Sequence, residues 1–141
     1  MSTNATFFGT PRYQAADLTA SQVITTLYNP VASGSSTNGI EPICTPASNG
    51  TKVNSLVVVV NSLTLSLAVV PGFLVLYIYD GVSAYNPLPL IPMSSTRVVR
   101  KFNNGDGPED LPALVLSSGK TLWIGQTSGN IINCHCFAGD A

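Results

Sequence analysis

The residues best suited to chemistry lie near the end of the chain, in the tripeptide Cys134-His135-Cys136. Cysteine and histidine at such close spacing suggest zinc, which is bound by a tetrahedron of ligands. The residues around them, 131–137, predict a strand, in which successive side chains point to opposite faces. Cys134 and Cys136 would therefore face away from His135, and Cys44 is the one other cysteine. We expect no metal and no cofactor, but two buried thiols beside a histidine on the surface or in an interface.

Other polar residues give no better support for catalysis. His135 is the single histidine, so a Ser-His-Asp mechanism would need it, and no Gly-x-Ser-x-Gly elbow accompanies it. Glu109 and Asp110 are neighbours in a loop, and adjacent carboxylates in extended chain project apart. The loop 103–107 is rich in oxygen atoms but lacks the spaced carboxylates of a calcium site. We expect a protein that is not an enzyme and has no small-molecule substrate.

Charge is unusually sparse. Six basic and seven acidic residues make up 9% of the chain, whereas about 25% is ordinary. Nucleic-acid binding needs clustered Lys and Arg, and the one basic cluster, at 97–101, is followed at once by acidic residues at 106–110. Because 45% of the residues are apolar, a monomer would expose much uncharged surface to water. We expect no nucleic-acid partner, and we expect burial against other subunits.

The length of 141 residues suits one domain with its own core. The first residues, MSTNATFFGTPR, lack the basic start and apolar block of a secretory signal. Three cysteines make an odd count, which fits free thiols in a reducing cytoplasm better than a disulfide framework. We expect a single-domain protein that is made in the cytoplasm.

The chain is organised around the central stretch 53–79, which carries no charged side chain. A membrane helix needs about 20 consecutive apolar residues. Here Asn61-Ser62 and Pro71-Gly72 interrupt the stretch and leave only pieces of strand length. We therefore expect three consecutive strands and no membrane span.

These three strands differ in their patterns. Residues 63–69 alternate between apolar and polar, which is the period of a strand with one buried face. The pieces 57–60 and 73–79 are apolar at successive positions, so both of their faces should be covered. One face is expected in the core, and the other under a second layer or another subunit.

Turn-forming residues divide the rest of the chain into further short strands. The predicted strands are 22–28, 84–93, 96–102, 113–116, 121–127 and 131–137, with a short strand near 40–45 in the long connection 29–49. Prolines in 84–93 remove ladder donors, so this segment is expected at a sheet edge. The last three strands are expected to form a meander of two hairpins. The predicted class is all-β: a single-domain antiparallel β-sandwich of jelly-roll type with eight to nine short strands.

Residues 1–21 precede these strands and show neither a helical nor a strand period. This predicts an extended N-terminal arm in front of a jelly-roll domain at 22–141. The arm carries aromatic side chains, which are unfavourable to expose to water. Our candidates for contact with a partner are Phe7, Phe8, Arg12 and Tyr13. Docking of the arm on its own subunit is the alternative, and the sequence leaves both open.

The aromatic residues also permit a second hypothesis, a receptor- or glycan-binding β-sandwich module. A sugar platform could be built from Tyr13, Tyr28, Tyr77, Tyr79, Tyr85 and Trp123. Most of these residues lie within or beside predicted strands, which favours packing first. The long connection 29–49 supports the hypothesis, because loops of this length often carry contacts.

From Lys52 onward, turn and strand motifs recur in a characteristic order. They are the Val-rich piece 55–60, Tyr77-Ile-Tyr-Asp80-Gly81, Leu88-Pro-Leu-Ile91-Pro92, Leu114-Val-Leu116-Ser-Ser-Gly119-Lys-Thr-Leu122 and Ala138-Gly139-Asp140. In this order the chain resembles small virion proteins of tailed bacteriophages, of the type that cements or decorates the capsid. The Cys-His-Cys before the terminal Gly-Asp departs from the usual pattern of that group.

The resemblance implies a β jelly roll without an active site. It implies a homotrimer on the outer capsid surface of a virion, assembled in the host cytoplasm, that bridges major capsid protein subunits and stabilises the shell. Contacts of this kind depend on interface area and on repeated engagement along a lattice. Under the same resemblance, the glycan-binding alternative becomes a module of a phage tail or head fibre.

Overall fold

A computed structural model describes residues 8–25, 39–61, 69–86, 88–93, 97–102, 111 and 113–141. Every regular element in these residues is a β-strand, and they include no helix able to span a membrane. The strands are β1 (Thr10–Leu18), β2 (Ile40–Cys44), β3 (Thr51–Asn61), β4 (Phe73–Tyr79), β5 (Ala84–Tyr85), β6 (Ile91–Pro92), β7 (Arg97–Lys101), β8 (Leu114–Leu116), β9 (Thr121–Gln126) and β10 (Ile131–Asp140). Glu109, Asp110 and nearly all of the predicted strand 63–69 lie outside the described residues.

The strands form two antiparallel sheets. Sheet A has the order β1-β10-β3-β7, and β8 pairs with β3 along the same edge as β7. Sheet B has the order β2-β9-β4-β5, and β6 also pairs with β4. The chain passes repeatedly between the sheets, and its first strand pairs with its last, as in a jelly roll. The predicted antiparallel β-sandwich of jelly-roll type is confirmed.

The core lies between the sheets and is built by alternation along the central strands. Its inward side chains include Leu56, Val58 and Val60 of β3, Ile132, Cys134 and Cys136 of β10, Leu74 and Leu76 of β4, and Leu122 and Ile124 of β9. Burial of one large aliphatic side chain contributes roughly 1.5–3 kcal/mol. The apolar residues at every second position therefore determine which face of each strand lies inside.

Strand β4 is buried on both faces, as its sequence predicts. Leu74 and Leu76 belong to the core between the sheets, whereas Val75 and Tyr77 lie on the outer face of sheet B. There they form a second buried cluster with Ile24 and other side chains. The pKa of Tyr77 is raised to about 12 because burial disfavours its charged form. A second layer within this chain thus covers the outer face of β4.

The proline-rich segment 84–93 lies at an edge of sheet B, in agreement with its prediction. It supplies β5 and β6, each two residues long, and both pair with β4. Pro92 lies opposite Phe73. Proline has no N–H to donate to a sheet, so an edge strand is the position where it is tolerated. Short edge strands of this kind limit uncontrolled pairing with other chains.

Residues 10–18 of the predicted arm form a full strand of sheet A. Over its whole length β1 pairs with β10, from Thr10 opposite Asp140 to Leu18 opposite Ile132. Leu18 is buried in the core, so this part of the chain packs on its own subunit. Exposed and less exposed residues alternate along β1, but most of these residues are small or polar, so the alternation is hard to see in the sequence.

The prediction of a strand at 22–28 is wrong for its described part, 22–25, which is not a strand. The side-chain amide of Gln126 donates to the backbone oxygens of Thr19 (3.1 Å) and Gln22 (3.2 Å), and the backbone amide of Ile24 donates to the backbone oxygen of Gln126 (2.9 Å). Buried Gln126 thus supplies hydrogen-bond partners to backbone groups of this segment, which in a strand would pair with a neighbouring strand. Ile24 packs against the outer face of sheet B instead.

The predicted meander of two hairpins is also wrong. β8 pairs with β3 in sheet A, β9 lies between β2 and β4 in sheet B, and β10 lies between β1 and β3 in sheet A. The turn after β8 is tight, with Gly119 at φ +85°, but the strands on either side of it enter different sheets. Crossing between the sheets lets each strand bury its apolar face in the same core.

Candidate contact surface

The outer face of sheet A carries the exposed residues that a partner could reach. Strand register aligns three rows across β1, β10 and β3 on this face. The rows are Tyr13-Phe137-Ser55, Ala15-His135-Val57 and Asp17-Asn133-Val59. We call these nine residues the contact face. Asp17 is the one Asp, Glu, Lys or Arg among these nine residues, and the pairing of β3 with β7 places Lys101 opposite Ser55 and Arg97 opposite Val59 at the border of the contact face.

Three ring side chains of the contact face form one cluster. The Tyr13 ring stacks on His135 with centroids 5.9 Å apart and planes 19° apart, and it lies 5.4 Å from the Phe137 ring. The Tyr13 hydroxyl and His135 Nδ1 are hydrogen-bonded at 2.5 Å. Tyr13 and Phe137 are 57% and 44% exposed. Ring stacking and the hydrogen bond therefore hold a large apolar surface in place while it faces water.

Next to the rings lies a ladder of polar side chains. Asn133 donates from Nδ2 to Asp17 Oδ1 at 2.8 Å, and Asn61 donates from Nδ2 to Asn133 Oδ1 at 3.3 Å. These bonds run across three strands and fix the amides in one orientation. Half-buried Val57 and Val59 lie on β3 opposite His135 and Asn133 and extend both rows. The contact face is thus rigid and contains apolar, aromatic and amide groups.

Arg12 lies on the opposite side of β1 from the contact face. Its Nε donates to both carboxylate oxygens of Asp140, at 2.7 and 2.9 Å, and Thr51 Oγ1 donates to Asp140 Oδ1 at 2.7 Å. The hydrogen bond and charge of Arg12, together with the Thr51 hydroxyl, lower the pKa of Asp140, while the same hydrogen bond raises the pKa of Arg12. Arg12 thus joins β1 to the end of β10 within one chain.

The four residues predicted to contact a partner are therefore separated. Tyr13 is exposed on the contact face, and Arg12 is engaged in its internal ion pair. Phe8 is half-buried, and its backbone oxygen lies so close to Gly139 that a Cβ there would clash with it. Phe7 lies outside the described residues. The role of these four residues in partner contact stays a prediction.

Sequence reasoning missed most of the contact face. Phe137, Val57 and Val59 were assigned to strands, but the face on which they meet depends on the pairing of β10 with β1 and β3. The alternation of β10 was the available signal. It correctly placed Cys134 and Cys136 inside and His135 outside.

The aromatic residues proposed for a sugar platform do not share one surface. Tyr13 lies on sheet A, Tyr77 is buried, and Tyr79 packs edge to face on Trp123, with centroids 5.6 Å apart on the outer face of sheet B. Tyr85 is exposed at the edge strand β5, and Tyr28 lies outside the described residues. In the described part of the chain, most of these rings serve packing.

Comparison with known proteins gives little beyond the sequence and the fold. No protein-family model matches the chain, and no curated protein is similar to it. A chain of the cyanophage Pam1 capsid asymmetric unit superposes on it with a TM-score of 0.46 and 11% sequence identity, covering 100% of this chain and 92% of that one.

Proposed function

We propose that this chain is a structural virion protein that decorates the outside of a tailed-phage capsid. In this proposal it assembles as a homotrimer in the host cytoplasm, bridges major capsid protein subunits and stabilises the shell. It has no catalytic role, cofactor or small-molecule substrate. The proposal is supported by the contact face, by the jelly-roll fold and by the sequence motifs shared with phage cement proteins.

The contact face is the observation that carries the proposal. Two exposed rings, Tyr13 and Phe137, lie beside half-buried valines on the outer face of sheet A. Aromatic residues are enriched in the centres of protein interfaces, where charged residues are depleted. A surface with one carboxylate in nine residues fits contact with another protein better than contact with nucleic acid.

The shared motifs support the proposal through their structural positions. Asp80 Oδ1 accepts hydrogen bonds from the amides of Val82 and Ser83, both at 2.9 Å, and Gly81 has φ +98°. Asp-Gly therefore closes the turn after β4. In the terminal Gly-Asp, Gly139 leaves room for the Phe8 backbone oxygen, and Asp140 forms the ion pair with Arg12. The motifs thus correspond to turns and strand ends of a jelly roll.

Area and repetition give such a surface its affinity. An interface of about 800 Å² per partner can be stable without any single strong contact. On a capsid the same contact is repeated by neighbouring subunits of one trimer, which raises the avidity by effective concentration. A rigid, nearly uncharged face is suited to this kind of binding, because little side-chain entropy is lost on contact.

Sedimentation with capsids tests the proposal. The double variant Tyr13→Glu, Phe137→Glu places two charges on the contact face at exposed positions, so it should fold. Wild-type protein should sediment with capsids of the virus that encodes it, and the double variant should lose at least about tenfold in affinity. Val82→Glu is the matched control, because Val82 is 74% exposed in the turn after β4. Failure of the wild type to bind, or equal binding by the double variant, would contradict the proposal.

A further inference from the structure

The three cysteines occupy one region of the core but have different neighbours. Cys44 ends β2 in sheet B, whereas Cys134 and Cys136 lie two residues apart on β10 in sheet A. All three are free and buried. Strand β10 directs both of its cysteines inward, so the position of Cys44 determines which of them can meet it.

A β-bulge directs Cys44 into the core. The register between β2 and β9 shifts between Pro42 and Cys44, and as a result Ile43 and Cys44, although adjacent in sequence, are both buried in the core between the sheets. In a regular strand these two side chains would point to opposite faces. Bulges commonly redirect one side chain in this way.

The backbone pairing places Cys44 beside Cys136. Gln14 lies directly opposite Cys136 in the β1–β10 ladder, and its side-chain oxygen accepts a hydrogen bond from the Thr45 amide at 2.8 Å. Residue 45 is therefore held next to the strand pair at the level of Cys136. Both thiols lie in the core between the sheets, and they are close enough for each to shift the pKa of the other.

We propose that Cys44 and Cys136 form a disulfide that links the two sheets when the protein meets a peroxide. Cys134 remains a thiol. This modification is independent of the proposed virion role, because it depends only on the core of one chain. It would convert a pair of packed thiols into a covalent link between the end of β2 and β10.

Cys44 is better suited to attack than Cys136. Its pKa is lowered by its interaction with Cys136 and by the positive charge of Arg12, against the opposing effects of burial and of the negative charge of Asp140. The pKa of Cys136 is raised by its interaction with Cys44 and by burial, and the pKa of Cys134 is raised to about 12, chiefly by burial. Cys44 itself is buried, and the next residue, Thr45, is exposed.

The reaction is balanced with peroxide as the oxidant. The Cys44 thiolate attacks one peroxide oxygen, the O–O bond breaks, and the departing hydroxide takes up a proton to form water, which leaves a sulfenic acid on Cys44. The sulfur of Cys136 then attacks the Cys44 sulfur, the S–O bond breaks, and a second water leaves with the Cys136 proton. The two thiols lose two electrons in total, and the peroxide gains them.

Thiol counting tests the inference. Reduced protein is treated with hydrogen peroxide, unfolded, and alkylated with N-ethylmaleimide, and its intact mass and non-reduced peptide map are measured. We expect one alkylated thiol, at Cys134, and a cross-linked peptide pair that contains Cys44 and Cys136. The thermal midpoint should rise by roughly 10 °C, because the link closes a long loop in the unfolded chain.

Serine variants provide the matched controls. Cys134→Ser should still form the disulfide and gain thermal stability, whereas Cys44→Ser and Cys136→Ser should form none and keep their thermal midpoints. Retention of three alkylated thiols by the wild type, or a cross-link through Cys134, would overturn the proposal. The peptide map of the wild type decides the question even where a serine variant does not fold.

Discussion

At the scale of single residues, side-chain hydrogen bonds connect segments that lie far apart in sequence. Asp140 accepts from Arg12 and Thr51 and so joins three strands of sheet A at one end. Gln126, completely buried, holds the segment after β1 through its amide group. Because both groups are satisfied within the protein, their loss would leave polar atoms without partners.

Acidification should reveal the contribution of Asp140. Its pKa in the folded protein lies below the ordinary value of 3.8, so its ionised form stabilises the fold above that value, and this stabilisation is lost as the pH falls through the folded pKa. We expect the free energy of unfolding, from urea titrations at pH 7 and pH 3, to fall less in Asp140→Asn than in the wild type. The difference should be about 1 kcal/mol or less, because Arg12 and Asp140 are only partly buried and solvent screens the pair.

Arg12→Ala provides the partner variant for this measurement. It should reduce the same part of the pH dependence, and the double variant with Asp140→Asn should lose little more than either single variant. An Asp140→Asn protein with the full acid sensitivity of the wild type would show that other carboxylates govern the acid response.

At the scale of elements, the central strands of the sandwich have one face directed to the core, and β4 has a second buried face. β3 is the clearest case, because Val57 to Val60 are all valines, yet Val58 and Val60 are buried and the others only half-buried. These four side chains are identical, so their burial differs only because successive residues of a strand point to opposite faces. This makes β3 a direct test of the assigned faces.

Substitutions by aspartate should separate the two faces. Val58→Asp should prevent folding, because an unpaired buried carboxylate costs several kcal/mol against a total stability of roughly 5–15 kcal/mol. Leu76→Asp on β4 should have the same effect, since Leu76 is also fully buried. Val57→Asp, one residue away on the contact face, should fold and melt cooperatively when followed by circular dichroism. A soluble, cooperatively melting Val58→Asp protein would show that the inner face is wrongly assigned.

At the scale of the whole molecule, the described sandwich leaves the contact face of sheet A, with one charged residue among nine, open to a partner. The middle of sheet B is covered on its outer side by a second apolar cluster, with Phe73 and Tyr85 exposed around it, whereas the exposed rings of the contact face form one stacked, hydrogen-bonded cluster. This arrangement leaves the ring cluster of sheet A accessible. It is consistent with a subunit that binds a larger surface through one sheet.

Light scattering should give the assembly state. The proposed homotrimer predicts a solution mass of three times the monomer's 14.7 kDa at micromolar concentration. The Tyr13→Glu, Phe137→Glu variant should be measured in parallel, because its mass separates a loss of subunit contact from a loss of capsid contact. A stable monomer in the wild type would count against a trimeric cement protein.

The sequence by itself determined the fold class, most strand positions and the inward or outward direction of many side chains. The strand at 73–79 appears with the same limits in the structure, and the direction of Cys134, His135 and Cys136 follows from alternation alone. These properties are local: the period of two and the turn-forming residues that end each strand act over a few neighbours.

Only the tertiary structure decided which strands are neighbours. The last three strands cross between sheets, residues 10–18 join the sheet beside β10, and a bulge brings Cys44 to Cys136. Many strands in this chain have similar apolar patterns, so local pattern cannot select a partner more than a hundred residues away. That choice depends on how all the apolar faces are buried together in one core, which is a property of the complete fold.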